Sequence, residues 1–298
     1  MRILLLGKNG QVGWELQRAL APLGQLVALG RDSTSHEADF RCPDAMAAMV
    51  RTLRPDVIEN AAAYTNVDQA ESEPALARTV NAVAPAALAR EAKILDATLV
   101  HFSTDYVFDG SGCAPRDEDA LTAPLNVYGA TKLEGEQAIR ASSCRHLILR
   151  TSWVHSARGS NFAKTILRLA EEGERLEIVD DQIGAPTGAD LLADVTAHAL
   201  RSLRQHPSLA GTYHVTAGGE TSWHGYAQFV IERARAQGLP VKMAVDAIRP
   251  VPSSASPTPA RRPLNSRLDT GRLQAHFGLR LPPWQEGAER LLIEVLGH

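Results

Sequence analysis

Cysteine is scarce in this chain: Cys42, Cys113 and Cys144 are the only three among 298 residues. Odd in number and widely separated, they exclude a disulfide framework and any metal-type cysteine spacing, and they point to a reducing, cytoplasmic setting. Long apolar runs are missing as well. None approaches the roughly 20 residues needed to span a bilayer. The N-terminal run Ile3 to Leu6 is too short for a signal-peptide core and passes at once into a glycine-rich turn. Nor is there an excess of either charge. With 31 basic and 34 acidic residues the formal net charge is -3, which gives no electrostatic reason to expect nucleic acid or an anionic membrane as partner. His101, His214 and His224 show no ligand spacing and read as structural. No internal repeat is apparent.

What is present describes an ordinary globular protein, 44% hydrophobic and 22% charged, long enough for one large domain or two intimate ones. Short apolar runs alternate with amphipathic stretches through the first half. Ile3–Leu6, Val27–Leu29, Val57–Asn60, Leu99–Phe102 and Leu147–Arg150 read as buried strands. Helical patterns lie between them, as in Val12-Leu16-Leu20 and from Val80 to Leu95. This alternation predicts right-handed βαβ crossovers and a doubly wound, Rossmann-type parallel α/β sheet covered on both faces. Helices over 162–172 and 189–203 and a strand near 212–216 extend it. After about Gly211 the character changes, with helices expected over 222–237 and 284–296. The expected division is a dinucleotide-binding domain over 1–150, extended by segments within about 161–217. A smaller C-terminal α/β substrate domain over 218–298 would take in loops near 151–160 and 181–189. The proline-rich stretch from Pro250 to Pro263 reads equally as a linker or as a loop that touches substrate.

Gly7, Gly10 and Gly13 follow the first strand directly and open the first helix, with Gln11 and Val12 between the last two. A tight turn, close approach to a pyrophosphate and close helix packing all need glycine there, and the helix N-terminus offers free N–H groups to phosphate. The spacing is a variant of the usual Gly-x-Gly-x-x-Gly. Small residues at Asn60-Ala61-Ala62-Ala63 leave room for an adenosine or ribose. After the second strand comes Gly30-Arg31-Asp32, where an acid commonly holds a ribose hydroxyl. A guanidinium at Arg31 favours a 2′-phosphate, hence NADPH over NADH, with NADH still usable.

Tyr128 and Lys132 stand four apart on an expected helix, so a phenol and an ammonium share one face. The cation is expected to lower the phenol's pKa toward a useful range, for proton donation to a carbonyl. Thr104, at the carboxyl end of the strand Leu99–Phe102, can hydrogen-bond the same carbonyl oxygen.

Taken together these residues resemble the extended short-chain dehydrogenase/reductases and, among them, the dTDP-4-dehydrorhamnose reductase family. The likeness runs over essentially the whole chain. It is carried by the run Gly7 to Glu15, by Arg54-Pro55-Asp56-Val57-Ile58, by Ser103-Thr104-Asp105-Tyr106-Val107-Phe108 and by Pro124 to Gly129. Arg150-Thr151-Ser152-Trp153-Val154, Asp181 to Thr187 and Arg262 to Leu268 carry it further. The resemblance implies NADPH-dependent reduction of the 4-keto group of a dTDP-sugar, giving a precursor of cell-surface polysaccharide. It implies a catalytic triad of Thr104, Tyr128 and Lys132, and a cofactor lined by Gly10, Gln11 and Val12. Asp39 and Phe40 would lie near the adenine end, with Ala62, Ala63, Tyr64 and Thr65 further along. Thr104, Asp105 and Trp153 would meet the sugar nucleotide. Some members bind Mg²⁺ at a homodimer interface, and the matching carboxylates are Glu15, Asp190 and Glu294, the second shorter than the usual glutamate. Dehydratases of the superfamily follow the threonine with two acids. Here Tyr106 replaces the second, which favours plain reduction. A regulatory, non-catalytic NADP-binding subunit is the other reading, and the intact triad weighs against it.

Overall fold

The computed structural model describes residues 1–173 and 175–297. Six strands form one parallel sheet: β1 (Arg2–Leu6), β2 (Gln25–Leu29), β3 (Val57–Asn60), β4 (Thr98–Thr104), β5 (Arg145–Thr151) and β6 (Gly211–His214). Their spatial order is β6-β5-β4-β3-β1-β2. The order reverses between β1 and β3, the switch point at which doubly wound sheets bind ligands.

The apolar strand runs are explained by burial on both faces. Leu4, Leu6, Ile58, Leu99 and Ile148 face one side. Helix α1 (Gln11–Leu20) lies on the opposite face, while α2 (Pro43–Leu53) and α3 (Ala84–Leu95) cover this one with Met46, Val50, Leu88 and Ala92. Ile3, Leu5, Val57, Val100, Leu147 and Leu149 point the other way, onto Leu16 and Leu20 of α1 and onto a long helix, Ala189–Gln205. Each fully buried aliphatic side chain contributes about 1.5–3 kcal/mol. Two further helices bear on the site. Helix α4 (Val127–Ala141) follows β4, and α5 (Phe162–Glu172) follows β5. The long helix Ala189–Gln205 is α6. Beyond it, α7 (Trp223–Ala236) and α8 (Trp284–Leu296) pack with α5 around a separate core that includes Ile166, Tyr226, Ile231, Trp284 and Leu292. Leu176–Val179 pairs in parallel with Ile248–Val251 at the edge of this unit.

Two glycines of the first turn are sterically required. Gly7 has φ +89°, and a Cβ there would lie 2.8 Å from Ala62 N; one on Gly13 would lie 2.0 Å from the Gly7 carbonyl oxygen. Strand β1, helix α1 and the loop after β3 therefore meet at a distance that only a hydrogen side chain permits.

One residue opposes the fold. Glu59 lies in the middle of β3 between Leu5 and Val100, fully buried, and among the described residues neither carboxylate oxygen has a hydrogen-bond partner. Burial raises its pKa well above the ordinary value, so the folded state holds it protonated. Its unfolded counterpart ionises freely above about pH 4.3. Stability is therefore lost as pH rises from there toward the folded pKa, at up to about 1.4 kcal/mol per pH unit. Glu59→Gln is expected to be more stable than the parent by a margin that widens as pH rises above about 4.3 in urea titrations. A margin independent of pH would show that the carboxyl finds a partner or water.

Candidate active site

A cavity of about 880 Å³ opens at the carboxyl ends of β1, β3 and β4. Its walls carry Gly7, Gly10, Gln11 and Val12 from the turn, and Arg31, Asp39 and Phe40 from the loop after β2. Ala62, Ala63, Tyr64 and Thr65 come from the loop after β3, and Thr104, Asp105, Tyr128, Lys132 and Trp153 complete it. Gly13 lies beneath, buried against Gly7. Every residue singled out for catalysis, cofactor or substrate thus borders one space or supports its rim. The alternating βα pattern and the strand-end rule account for that convergence.

Helix α4 is set by the residue before it. Asn126 accepts from Gly129 N–H at 2.8 Å as N-cap and donates to the Arg261 carbonyl at 2.8 Å, while Val127 N–H reaches Glu71. Within the first two turns, Tyr128 and Lys132 share the face toward β4. Thr104 ends that strand; its hydroxyl accepts from Tyr106 N–H at 3.2 Å, contacts Asp105, and lies within hydrogen-bonding reach of the Tyr128 phenol. Tyr106 stands edge-on to Tyr128, ring centroids 5.5 Å apart.

The electrostatics correct one expectation. Burial pushes the Tyr128 phenol up from its ordinary value, with nearby Asp105 adding to the rise and the Thr104 hydroxyl opposing it. Loss of water outweighs the benefit expected from Lys132. Lys132 itself is lowered to about 8 by burial, against the pull of Glu136. Its Nζ donates to the Phe102 carbonyl at 2.6 Å and meets His101 Nε2 at 3.1 Å; His101 Nδ1 in turn meets Asn60 Nδ2 at 2.9 Å. Asp105 is raised to about 7, chiefly by burial, with Ser266 and Thr104 opposing.

Trp223 and Asn81 are site residues that carry no sequence signal. Trp223 stacks on Trp153 at 3.6 Å and lies between the first cavity and a second of about 1070 Å³. Trp153 holds φ +50°, a strained conformation of the kind concentrated at ligand sites. Pro259, Arg261 and Arg262 of the proline-rich stretch line the second cavity with Gln182 and Ser253, which decides for a loop facing that space rather than a linker. Asn81 sits in a π-helical turn, Thr79–Val83, and bonds both the N–H and the carbonyl of Tyr64 as well as Thr131 of α4. Asp32 shares the outer rim with Arg31 and accepts from Asn9 at 2.7 Å, so the rim carries a carboxylate beside the guanidinium.

Glu15, Asp190 and Glu294 do come together, around a crevice of only about 10 Å³. Arg290 lines the same crevice, 3.0 Å from Asp190 and 3.0 Å from Glu294. Among the described residues no group of three or more His, Cys, Asp or Glu side chains is arranged to hold a metal ion. The Arg290 guanidinium already engages two of the three carboxylates, so the three residues do not fit Mg²⁺ within the single chain.

The chain matches the family described as RmlD substrate binding domain over residues 1–296. It is 55% identical over 295 residues to the dTDP-4-dehydrorhamnose reductase of Shigella flexneri, covering 99% of this chain and 98% of that one. The chain belongs to the dTDP-4-dehydrorhamnose reductase family. A second member, from Burkholderia thailandensis, is 50% identical over 289 residues, 96% of either chain. Among solved structures, the Bacillus anthracis reductase in complex with NADP superposes with a TM-score of 0.87 at 35% identity, covering 98% of this chain and 99% of that one. A Streptomyces venezuelae dTDP-glucose 4,6-dehydratase, at 17% identity and TM-score 0.81 over 100% and 98% of the two chains, shares the fold alone.

Proposed function

We propose that this reductase-family chain transfers hydride from NADPH to the 4-keto carbon of dTDP-4-dehydro-L-rhamnose, giving dTDP-L-rhamnose for cell-surface polysaccharide. The carrying observation is the meeting of Thr104, Tyr128 and Lys132 with the glycine turn around one cavity. The space fits a dinucleotide: Gly7 and Gly13 admit no Cβ, and the N-terminus of α1 faces the cavity with free backbone donors. NADPH supplies the hydride when bound.

Tyr128 gives its phenolic proton to the carbonyl oxygen, so an O–H bond breaks at Tyr128 and one forms at the product hydroxyl. Thr104 holds that oxygen and supports the phenolate left behind. Lys132 binds the nicotinamide ribose and steadies the phenolate from one helical turn away. Asp105 and Trp153 position the sugar. The second cavity, reached past Trp223, offers Arg261 and Arg262 to a nucleotide diphosphate. On this reading residues 1–150 with segments of 161–217 hold the cofactor, and 218–298 with the loops near 151–160 and 181–189 hold the sugar nucleotide. Homodimers and a cytoplasmic location belong to the same proposal; no helix among the described residues is long and apolar enough to cross a membrane.

Tyr106 beside Tyr128 occupies the place where elimination needs a second acid, which favours reduction over dehydration. The test is loss of NADPH absorbance on addition of dTDP-6-deoxy-L-lyxo-4-hexulose. Cofactor binding without turnover would favour a regulatory subunit instead.

Cofactor choice follows from the rim. Arg31 offers a fork to a 2′-phosphate, while Asp32 can accept from a ribose hydroxyl. Arg31→Ala is therefore expected to weaken NADPH about tenfold or more, as loss of a charge-assisted hydrogen bond does, and NADH much less. Equal weakening in fluorescence titrations would remove Arg31 from the phosphate.

A further inference from the structure

Asn126 is buried, 7% exposed, and is engaged through both ends of its amide. Its Oδ1 accepts from Gly129 N–H at 2.8 Å, which caps α4 two residues before Tyr128. With the oxygen committed there, Nδ2 points the other way and donates to the Arg261 carbonyl at 2.8 Å. The residues around Arg261 are fastened to the same region. Asp68, on the helix Val67–Ser72, accepts from Ala260 N–H at 3.2 Å and from Arg262 Nη2 at 2.6 Å. Arg262 also bonds the Tyr106 phenol. Pro263 lies against Gly110, where a Cβ would come within 2.4 Å of it, and Asn265 N–H donates to the Gly110 carbonyl at 3.0 Å. Residues 260–265 thus form a strap laid across the start of α4 and the turn after β4. Arg262 is held by Asp68 and Tyr106. Arg261 is exposed, lines the second cavity, and among the described residues forms no ion pair.

We propose that Asn126 is a positioning residue that ties this strap to the catalytic helix and so fixes Arg261 over the second cavity to receive the diphosphate of a sugar nucleotide. One side chain then sets both ends of the substrate in register. Its oxygen caps the helix that carries the proton donor, and its NH₂ holds the backbone that carries the phosphate-binding guanidinium. This deepens the reductase reading and rests on it for the identity of the ligand. Holding Arg261 in place before substrate arrives removes an ordering cost from binding. Loss of the tie therefore weakens the sugar nucleotide more than it slows the chemical step. NADPH, gripped by the glycine turn, is untouched.

Asn126→Ser separates the two contacts. Serine caps a helix about as well as asparagine, but it is too short to reach the Arg261 carbonyl. Asn126→Asp keeps both the length and the cap while turning an acceptor toward that carbonyl, and it serves if N126S folds poorly. In either variant the Kd for dTDP, read by calorimetry, and the KM for dTDP-6-deoxy-L-lyxo-4-hexulose are expected to rise about five- to tenfold, as loss of one hydrogen bond does. The kcat and the NADPH dissociation constant should stay within about twofold of the parent, whereas a purely structural loss would lower kcat at unchanged KM. Arg261→Ala deletes the guanidinium and keeps the carbonyl. In that background N126S should weaken dTDP little further, because Asn126 acts through Arg261. Variants that bind dTDP as the parent does, effects of N126S and R261A that simply add, or a parent that takes up no dTDP would each overturn the proposal. Calorimetry needs no turnover. A parent that binds dTDP, with variants that lose it as expected, but with no NADPH oxidation on the dTDP-sugar, would refute the reductase reading alone.

Discussion

Tyr128→Phe is expected to lower kcat by about 10²–10⁴-fold while leaving the NADPH dissociation constant near that of the parent. Only the phenolic proton is lost, since the ring keeps its edge contact with Tyr106 and α4 keeps its cap on Asn126. The direction of the Tyr128 shift makes the case stronger. Burial holds the phenol protonated throughout the neutral range, so in the free protein it is an acid and has no role as a base. Asp105 modulates it. Its carboxyl, raised to about 7 chiefly by burial, is neutral below that pH and charged above it, and the charged form pushes the Tyr128 phenol further up. A phenolate forming next to a carboxylate is disfavoured, so the parent's kcat/KM should fall as pH rises through about 7. Stopped-flow and steady-state assays with NADPH check both statements. A Tyr128→Phe variant with kcat within a few-fold of the parent would move the proton donor elsewhere, with Asp105 the next candidate.

How much of this is legible in the sequence depends on whether the information is local. The strands are readable because a parallel sheet buries both faces and leaves continuous apolar runs, and Leu4 beside Leu5 needs no partner to declare it. The glycine turn and the Tyr128–Lys132 spacing are equally local. Contacts across the fold are not readable. Nothing near Trp223 announces that it stacks on Trp153, far earlier in the chain, or that Asn81 is turned inward by a π-helical turn to hold Tyr64. Helix ends at Arg54 and Asp96 adopt left-handed conformations where glycine is the usual signal. The direction of the phenol's shift is hidden for a related reason. Spacing gives a neighbour, whereas the dielectric around Tyr128 comes from β4 and the following turn, which sequence spacing does not reveal. The acidic trio of Glu15, Asp190 and Glu294 meets as its resemblance implies. Arg290, one turn before Glu294 on the same helix, changes its chemistry, and no motif draws attention to it.

Glu136→Gln is expected to cost about 3–5 kcal/mol of stability, the usual penalty for removing one member of a buried ion pair. Glu136 is 0% exposed and the Arg150 side chain 3%. The guanidinium meets the carboxylate through two bonds of 2.8 and 2.7 Å, and Ser103 and Arg140 add bonds of 2.6 and 3.0 Å. A neutral amide keeps the shape but offers one acceptor instead of two and turns an NH₂ toward donors. Arg150 is then a buried cation whose other neighbours, the Glu118 carbonyl and His214 at 3.4 Å and the Phe108 ring, cannot neutralise it. The sign with pH follows from the carboxyl. Burial pushes its pKa up, but the hydrogen bonds and charge of Arg150, with Ser103 and Arg140, prevail and hold it below the ordinary range. Its contribution is therefore present above the unfolded value near about 4.3 and is lost as pH falls through the depressed folded value. Parent and variant stabilities should converge in acid and separate toward neutrality, as read by urea titration at several pH values. Activity should fall with stability, because Ser103 adjoins Thr104 and Glu136 lies one helical turn beyond Lys132, so the pair braces both arms of the triad. Replacing Glu136 and Arg150 together by leucines removes the unpaired charge, and the double variant should recover much of the loss. A double variant no more stable than E136Q would mean that packing around the pair, rather than the stranded charge, sets the penalty.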